Sequence, residues 1–484
     1  MQTPMKTRRQ PTARKLSGPR ATLLNDVHSQ LNPTLVAEVV RPRTTADVLA
    51  AVGRAAAAGQ VIAVAGGRHA MGGQQFATGG IAISMSSMDR VLELDANRGL
   101  VEVEAGIQWP ELIRDLHLRQ RGARGLWTIA QKQTGADRLS IGGAVAANVH
   151  GRGLTMRPFV ADVEAFTLVT AEGRTVRCSR SENRDLFRLA LGGYGLLGVV
   201  THVQLRLVRQ EKLQRLVEVL DLDDLAAAFA DRIAEGFTYG DFQFAIDNDS
   251  PAFLRRGVFS CYRPVDPATP IPDDQQVLTD TAWRELLHLA HCDKSAAFER
   301  YCAHYLQTSG HIYHSDTHQL TTYLDDYHRE LDSQSGALCR GSEMITELYV
   351  PRERLPDFME AVADDFRRQR VNCVYGTVRL IERDDETFLA WAREPWACVI
   401  FNLHTDHSPA GLRESAAAFR GLIDRAAELG GSYYLTYHRY ARRDQVLRCH
   451  PRFPEFLRQK RAHDPGELFR SDWYGHYRRM FRTD

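Results

Sequence analysis

AVAGGRHAMGGQQFA, residues 63–77, is an apolar run that ends in a glycine pair, a lone histidine and a second glycine pair. Glycine at such a turn lets backbone approach a bulky partner closely. Two readings compete: a loop whose N–H groups cradle phosphate, and a plain tight β-turn. A Rossmann fingerprint needs GxGxxG opening a helix, with an acid about 20 residues further on. Here a strand, IAISM (81–85), follows instead. GGYGLLG (192–198) likewise leads into the strand-like VVTHVQLRLV (199–208). A nicotinamide fold is disfavoured.

Working outward, LVAEVVRP, TTADVLAAVGRAAAAG and VIAVAGG predict strand, helix and strand, with a threonine start and a glycine stop to the helix. LVEVEAG (100–106) is another short strand. WPELIRDLHLRQRG (109–122) is an amphipathic helix with Pro110 near its start. VEAFTLVTAEGRTVRC (163–178) reads as a hairpin turning at Glu172-Gly173. LSIGGAVAANVHGRG (139–153) crowds small residues together and leaves room for a large flat object. The three small-residue stretches, 66–80, 139–153 and 192–200, are each expected at a strand boundary.

After about 210 the texture changes. Three segments predict strand, helix, strand: 215–247, 343–382 and 396–440. In the first two, Leu222, Leu225, Phe229, Ile233 and Leu355, Phe358, Val362, Phe366 recur at helical spacing. The plan implies a sheet with helices covering one side. Residues 275–335 look mainly helical and are rich in histidine and tyrosine.

Composition narrows the class. Net charge is +1, so no global field draws nucleic acid or membrane. No run of about 18 apolar residues occurs, so no transmembrane helix is expected. The eight cysteines form no CxxC, so a zinc or thioredoxin-like site is not expected and free thiols in a cytoplasmic setting are. His314 and His318 are four apart without an HExxH, so the expectation is no metal and a polar substrate lid. Residues 1–20 carry six basic residues and no following apolar run; they are read as a disordered tail, not a signal peptide.

Together the three glycine stretches resemble the FAD-binding domain of the vanillyl-alcohol-oxidase superfamily, the p-cresol-methylhydroxylase (PCMH) type. GGRHAMGGQ resembles the first flavin loop of cytokinin dehydrogenases and alditol oxidases. LSIGGAVAANVHGRG resembles the second and LALGGYGLLGVVTHVQL the third. GGSYYLTYHRYARRDQV, with HPRFPEFLRQKRAHDPGELFRSDW, is similar to the end of decaprenylphosphoryl-ribose and aldonolactone oxidases. The resemblance implies an α+β, two-domain protein. An FAD-binding domain spans 21–209, a substrate domain on an antiparallel sheet covered by helices spans 210–429, and 430–484 returns to the FAD domain. It implies FAD contacts from Gly66, Gly67, Arg68, His69, Ala70, Gln74, Ser140, Gly142, Gly143, Asn148, His150, Gly151, Gly195, Gly198 and Val200. It also implies a covalent bond from His69 to the flavin 8α-methyl, although Arg68 and Ala70 depart from the usual glycine and serine.

A flavin oxidoreductase then needs an acceptor for the hydroxyl proton and a positive charge near flavin N1. Arg379 alternates with Thr377 and Tyr375 on an expected strand, Asn402 with His404 on another, and Tyr437 and Arg439 flank His438 on a third. The family's acid stands as Thr377 here, and its lysine near Tyr437 is missing. Arg379, His404, Tyr437, His438 and Arg439 are the catalytic candidates. The expected activity is oxidation of a CH–OH group on a sugar, alditol, lactone or related polyol, with oxygen or another acceptor reoxidising the flavin. A tailoring oxidase of aromatic or natural-product alcohols, and a non-catalytic flavin-binding protein, stay open.

Overall fold

The computed structural model describes residues 21–321, 324 and 327–482; the basic segment 1–20 lies outside them. The expected strand–helix–strand at the start forms as a small parallel sheet, with Ile81–Ser84 between Glu38–Val40 and Ile62–Ala65. The helix Thr45–Ala57 makes the crossover. Thr44 caps it by accepting from the Asp47 backbone N–H, while the Asp47 carboxylate answers the Thr44 N–H. Beside it lies a five-stranded antiparallel sheet in the order 175–179, 163–169, 199–206, 100–104, 91–95. The expected hairpin is its edge, with Gly173 at φ +70° in the turn.

The second half is built on one eight-stranded antiparallel sheet. Its order is 312–314, 212–221, 256–265, 239–244, 373–381, 396–406, 341–351, 432–433. The helices Leu222–Ala234, Leu355–Gln369 and Pro409–Glu428 supply the apolar cover. Leu355, Phe358, Val362 and Phe366 are all buried, and the Phe366 ring meets Phe401 of the sheet at 5.4 Å. A ring buried this way contributes about 1.5–3 kcal/mol. Antiparallel alternation sends Val399, Phe401 and Leu403 to that helical face and Cys398, Ile400, Asn402 and His404 to the other. So the sheet has one apolar face and one that carries polar groups into a cavity. Above the polar face run the helices Asp280–Cys292 and Lys294–Gln307, in the segment expected to be helical.

Two local expectations are corrected. The second small-residue stretch is a short helix, Ile141–Ala147, capped by Ser140 and ended by Asn148 at φ +50°, not a strand boundary. Ser140's hydroxyl outcompetes the extended path by accepting from the Gly143 N–H. The third strand–helix–strand unit loses its last strand: only Ser432–Tyr433 pair, with the 341–351 strand. Residues 434–441 turn away, because Tyr434 and Trp473 anchor this segment instead, Tyr434 OH donating to Ala147 O and Trp473 Nε1 to Leu435 O. Further on, Ile62 N–H donates to Leu468 O and Arg470 N–H to Ile62 O, which holds the end of the chain against the parallel sheet.

Candidate active site

A cavity of about 850 Å³ opens between the polar face of the large sheet and the glycine turns. Its first wall is made of small residues. A Cβ on Gly66 would lie 1.9 Å from Ser140 Oγ, and one on Gly67 would lie 2.3 Å from Arg138 O, so only glycine fits. Gly142 backs onto Ala105 at 3.0 Å in the same sense. Of the fifteen expected cofactor residues, Gly66 to Ala70, Gln74, Ser140, Gly142, Gly143, His150, Gly195, Gly198 and Val200 line this cavity. Asn148 and Gly151 lie behind it. Asn148 donates to Asp384 (3.0 Å) and accepts from Val160 N–H (2.9 Å); Gly151 N–H donates to Gln131 (3.1 Å). Their role is to fold the loop.

Arg68 takes φ +59°, the left-handed conformation for which the usual glycine is suited. Next to it, His69 Nδ1 lies 2.8 Å from His28 Nε2. Burial, then the neighbouring His28, pushes the His69 pKa down to about 3, so its imidazole is neutral at ordinary pH. The sequence reading did not single out His28; a histidine 41 positions upstream leaves no local pattern.

The second wall is the sheet. Cross-strand pairing sets Glu347, Ile400 and Thr377 in one row, Tyr349, Cys398 and Arg379 in the next, and Ile345, Asn402 and Tyr375 beyond. Arg379 and Tyr375 line the cavity as expected. Arg379 is 6% exposed; one amino group donates to Thr134 Oγ1 and its Nε has no hydrogen-bond partner. The acid absent at Thr377 stands in the same row, two strands away, as Glu347. Its carboxylate accepts from His150 Nε2 (2.8 Å), Tyr349 OH (2.9 Å) and Tyr437 OH (2.5 Å). Burial pushes the Glu347 pKa up, but His150 and the Tyr437 hydrogen bond outweigh it and the net shift is down. His150 Nδ1 faces Gly151 O at 3.0 Å, so both its nitrogens face oxygen atoms. In the sequence, Glu347 is one of two acids four apart in EMITELYV, on one face of the expected strand with Glu343, and that spacing alone does not tell which of them faces the cofactor wall.

The remaining catalytic candidates are placed elsewhere. With no strand over 434–441, Tyr437, His438 and Arg439 do not share one edge. Tyr437 lines the cavity, but His438 and Arg439 do not. His438 packs on Phe419 (4.4 Å), and its Nε2 lies 3.2 Å from Thr346 Oγ1. Burial, with Arg420 nearby, lowers its pKa to about 3, so it carries no positive charge. Arg439 reaches Asn32 Oδ1 at 3.4 Å. His404 lies behind the wall with Nδ1 3.3 Å from Glu343 Oε1. Of Arg379, His438 and Arg439, the candidates for the positive charge, only Arg379 lines the cavity.

Glu343 gathers histidines from three elements. His291 Nε2 is 3.3 Å away, His328 Nδ1 2.7 Å and His404 Nδ1 3.3 Å, and Tyr327 OH also donates to it. His291, Glu343 and His404 offer donor atoms within 4.8 Å of one another, as do His150, Glu347 and Cys398.

Residues 36–179 match the FAD binding domain family. Over 446 residues, 90% of this chain and 94% of the relative, the sequence is 25% identical to an L-gulono-1,4-lactone dehydrogenase of Mycobacterium tuberculosis. It is 34% identical to the L-gulonolactone oxidase of Mus musculus over 188 residues, 37% of this chain and 41% of that one. It is 31% identical to cytokinin dehydrogenase 4 of Oryza sativa over 199 residues, 39% and 36% of the two chains. The residues present fit FAD: the wall excludes any side chain larger than glycine at Gly66 and Gly67, and Gln74 Oε1 and Gln75 Oε1 stand in it buried without hydrogen-bond partners. The glycine-walled cavity, the domain match and these relatives together make the chain an FAD-linked oxidoreductase, and they support its resemblance to the vanillyl-alcohol-oxidase superfamily.

Proposed function

We propose that the protein oxidises a CH–OH group of an aldonolactone, sugar, alditol or related polyol. Residues 21–209 would hold FAD, 210–429 form the cap over the substrate, and 430–484 close back on the FAD unit. When bound, FAD accepts the hydride from the substrate carbon. This chain's residues handle the proton and the charge. Tyr437 already donates to Glu347, so its oxygen lone pair faces away from that bond and accepts the substrate hydroxyl proton while its own moves to the carboxylate. His150 holds the Glu347 carboxylate in place from the loop side. Arg379, buried with a free Nε, supplies positive charge for the reduced cofactor. Oxygen or another acceptor would take the electrons onward.

The observation that carries this reading is the Glu347–Tyr437–His150 cluster opposite the glycine wall, with Arg379 in the adjacent row. The relatives' names, lactone dehydrogenase and lactone oxidase, favour the lactone and polyol class. The test is anaerobic mixing of the flavoprotein with L-gulono-1,4-lactone, xylitol and benzyl alcohol while following the visible flavin band. Bleaching by the lactone or polyol is expected, slowed about 10²- to 10⁴-fold in Glu347→Gln and Tyr437→Phe. Unchanged bleaching rates in both variants overturn the proton relay. Bleaching by benzyl alcohol alone moves the protein to the aromatic-alcohol reading, which the tyrosines lining the other half of the cavity favour.

A further inference from the structure

The half of the cavity away from Glu347 is walled by arginine and tyrosine. Arg215, on the 212–221 strand, is 8% exposed. Its Nε donates to Ser260 Oγ at 2.8 Å and its Nη1 to Thr308 Oγ1 at 3.1 Å. The rings of Tyr305 and Tyr262 lie 4.4 and 5.3 Å from its guanidinium carbon. Among the described residues, no carboxylate stands within ion-pair distance of it. Arg152 also sits against the Tyr262 ring, 4.7 Å from its centre, and donates to His318 O at 2.5 Å. Its Nε is buried with no hydrogen-bond partner, and its carboxylate, Asp241, is 4.0 Å away, at the limit of an ion pair. His304, His311 and His318 nearby are held neutral, by burial first and by Arg215 or Arg152 second. Two guanidiniums thus face one distant carboxylate.

Taking a cation out of water is unfavourable unless a partner replaces the solvent. Hydroxyls and ring faces offset part of that for Arg215. They leave its second amino group directed at no anion. A guanidinium fork matches a carboxylate or phosphate in geometry as well as charge. The two arginines and the tyrosines line the same cavity as Glu347 and Arg379. In the sheet, the 212–221 strand lies three strands from the 373–381 strand, about 14 Å at the normal strand spacing.

We propose that this end of the cavity is an anion subsite, taking the carboxylate or phosphate monoester of an elongated substrate whose alcohol lies at the Glu347 end. Arg215 is the anchor and Arg152 the second contact; Tyr262 and Tyr305 bound the group between aromatic faces. The oxidation reading fixes which end reacts, and the anion binding stands apart from it.

The experiment uses the FAD-loaded protein and three rod-shaped probes: biphenyl-4-carboxylate, biphenyl-4-phosphonate and the uncharged biphenyl-4-carboxamide. Binding is read by quenching of intrinsic fluorescence, which Trp283 in the cavity wall supports. At least one anion is expected to bind tenfold or more tighter than the carboxamide, and the tighter of the two identifies the group. Arg215→Met is expected to abolish that preference and Arg215→Lys to keep part of it, with melting temperatures confirming that both fold. Equal affinity for all three probes in the unmodified protein overturns the subsite, as does a preference that survives Arg215→Met. Failure of every alcohol to bleach the flavin, with anion preference intact, overturns the oxidation reading alone.

Discussion

His69 shows what one residue's surroundings do to its chemistry. An exposed histidine is half protonated near its ordinary value of 6.5, but burial holds this one at about 3. Its lone pair is therefore available at any physiological pH, as an attack on the flavin 8α-methyl requires. Acid precipitation is expected to leave the yellow colour in the protein pellet, and His69→Ala to release it to the supernatant while FAD still binds. Colour in the supernatant from the unmodified protein removes the covalent link and leaves FAD binding in place. His28, 2.8 Å away, sets which His69 nitrogen carries the proton. His28→Phe is expected to lower the fraction of covalently held flavin without releasing all of it. The sequence displayed His69 because glycines bracket it locally. The roles of Glu347 and His28 were not legible, because His150 and His69 reach them from 197 and 41 residues away, and the Glu343 cluster was not because its histidines come from two helices and another strand. No local spacing encodes those meetings.

At the scale of elements, apolar periodicity was readable and chain reversal was not. The helix Leu355–Gln369 carries an apolar face at every third or fourth residue, and the sheet beneath it buries that face. By contrast, YLTYHRYA alternates well enough for a strand, yet Tyr434 OH and Leu435 O find partners outside the sheet and Tyr437 meets it only through its side chain, at Glu347. Tertiary contacts override a weak local preference. The small-residue stretch 139–153 had its function read from composition and its helix missed, because glycine and alanine signal close approach more strongly than helix. The element that closes this wall depends on Ser140, whose hydroxyl caps the helix Ile141–Ala147. Gly66→Ala would place a methyl 1.9 Å from that hydroxyl, so the cap or the turn must move. Ser140→Ala is expected to cost about 1 kcal/mol. Gly66→Ala is expected to cost at least as much and to reduce FAD content, which Ser140→Ala alone does less. Thermal melting and flavin absorbance per protein check both; full FAD occupancy in Gly66→Ala counts against the close-approach role of this turn.

Across the whole molecule, buried neutral histidines set the response to acid. His69, His438 and His450 have pKa values lowered to about 3 and His476 to about 4, each chiefly by burial. Unfolded, each titrates near 6.5. Between 6.5 and the lowered value the unfolded chain binds more protons than the folded one, so stability rises with pH across that window and falls as pH drops through it. Each group contributes up to about 1.4 kcal/mol per pH unit, and less where water reaches it. Asp162 opposes them: burial raises its pKa to about 7, so between its ordinary 3.8 and 7 it favours the folded state at lower pH. His304, His311 and His318, also lowered, act with these four against Asp162 and the raised His117 and His404, and the net slope keeps the lowered histidines' sign. The melting temperature is expected to be highest near or above pH 6.5 and to fall steadily towards pH 4.5. His450→Leu removes one of the four without adding a charge, and its melting temperature should fall less steeply over the same range. A slope identical to that of the unmodified protein would show that His450 does not titrate on unfolding, and would shift the acid response onto the carboxylates that Glu347 and Glu343 represent.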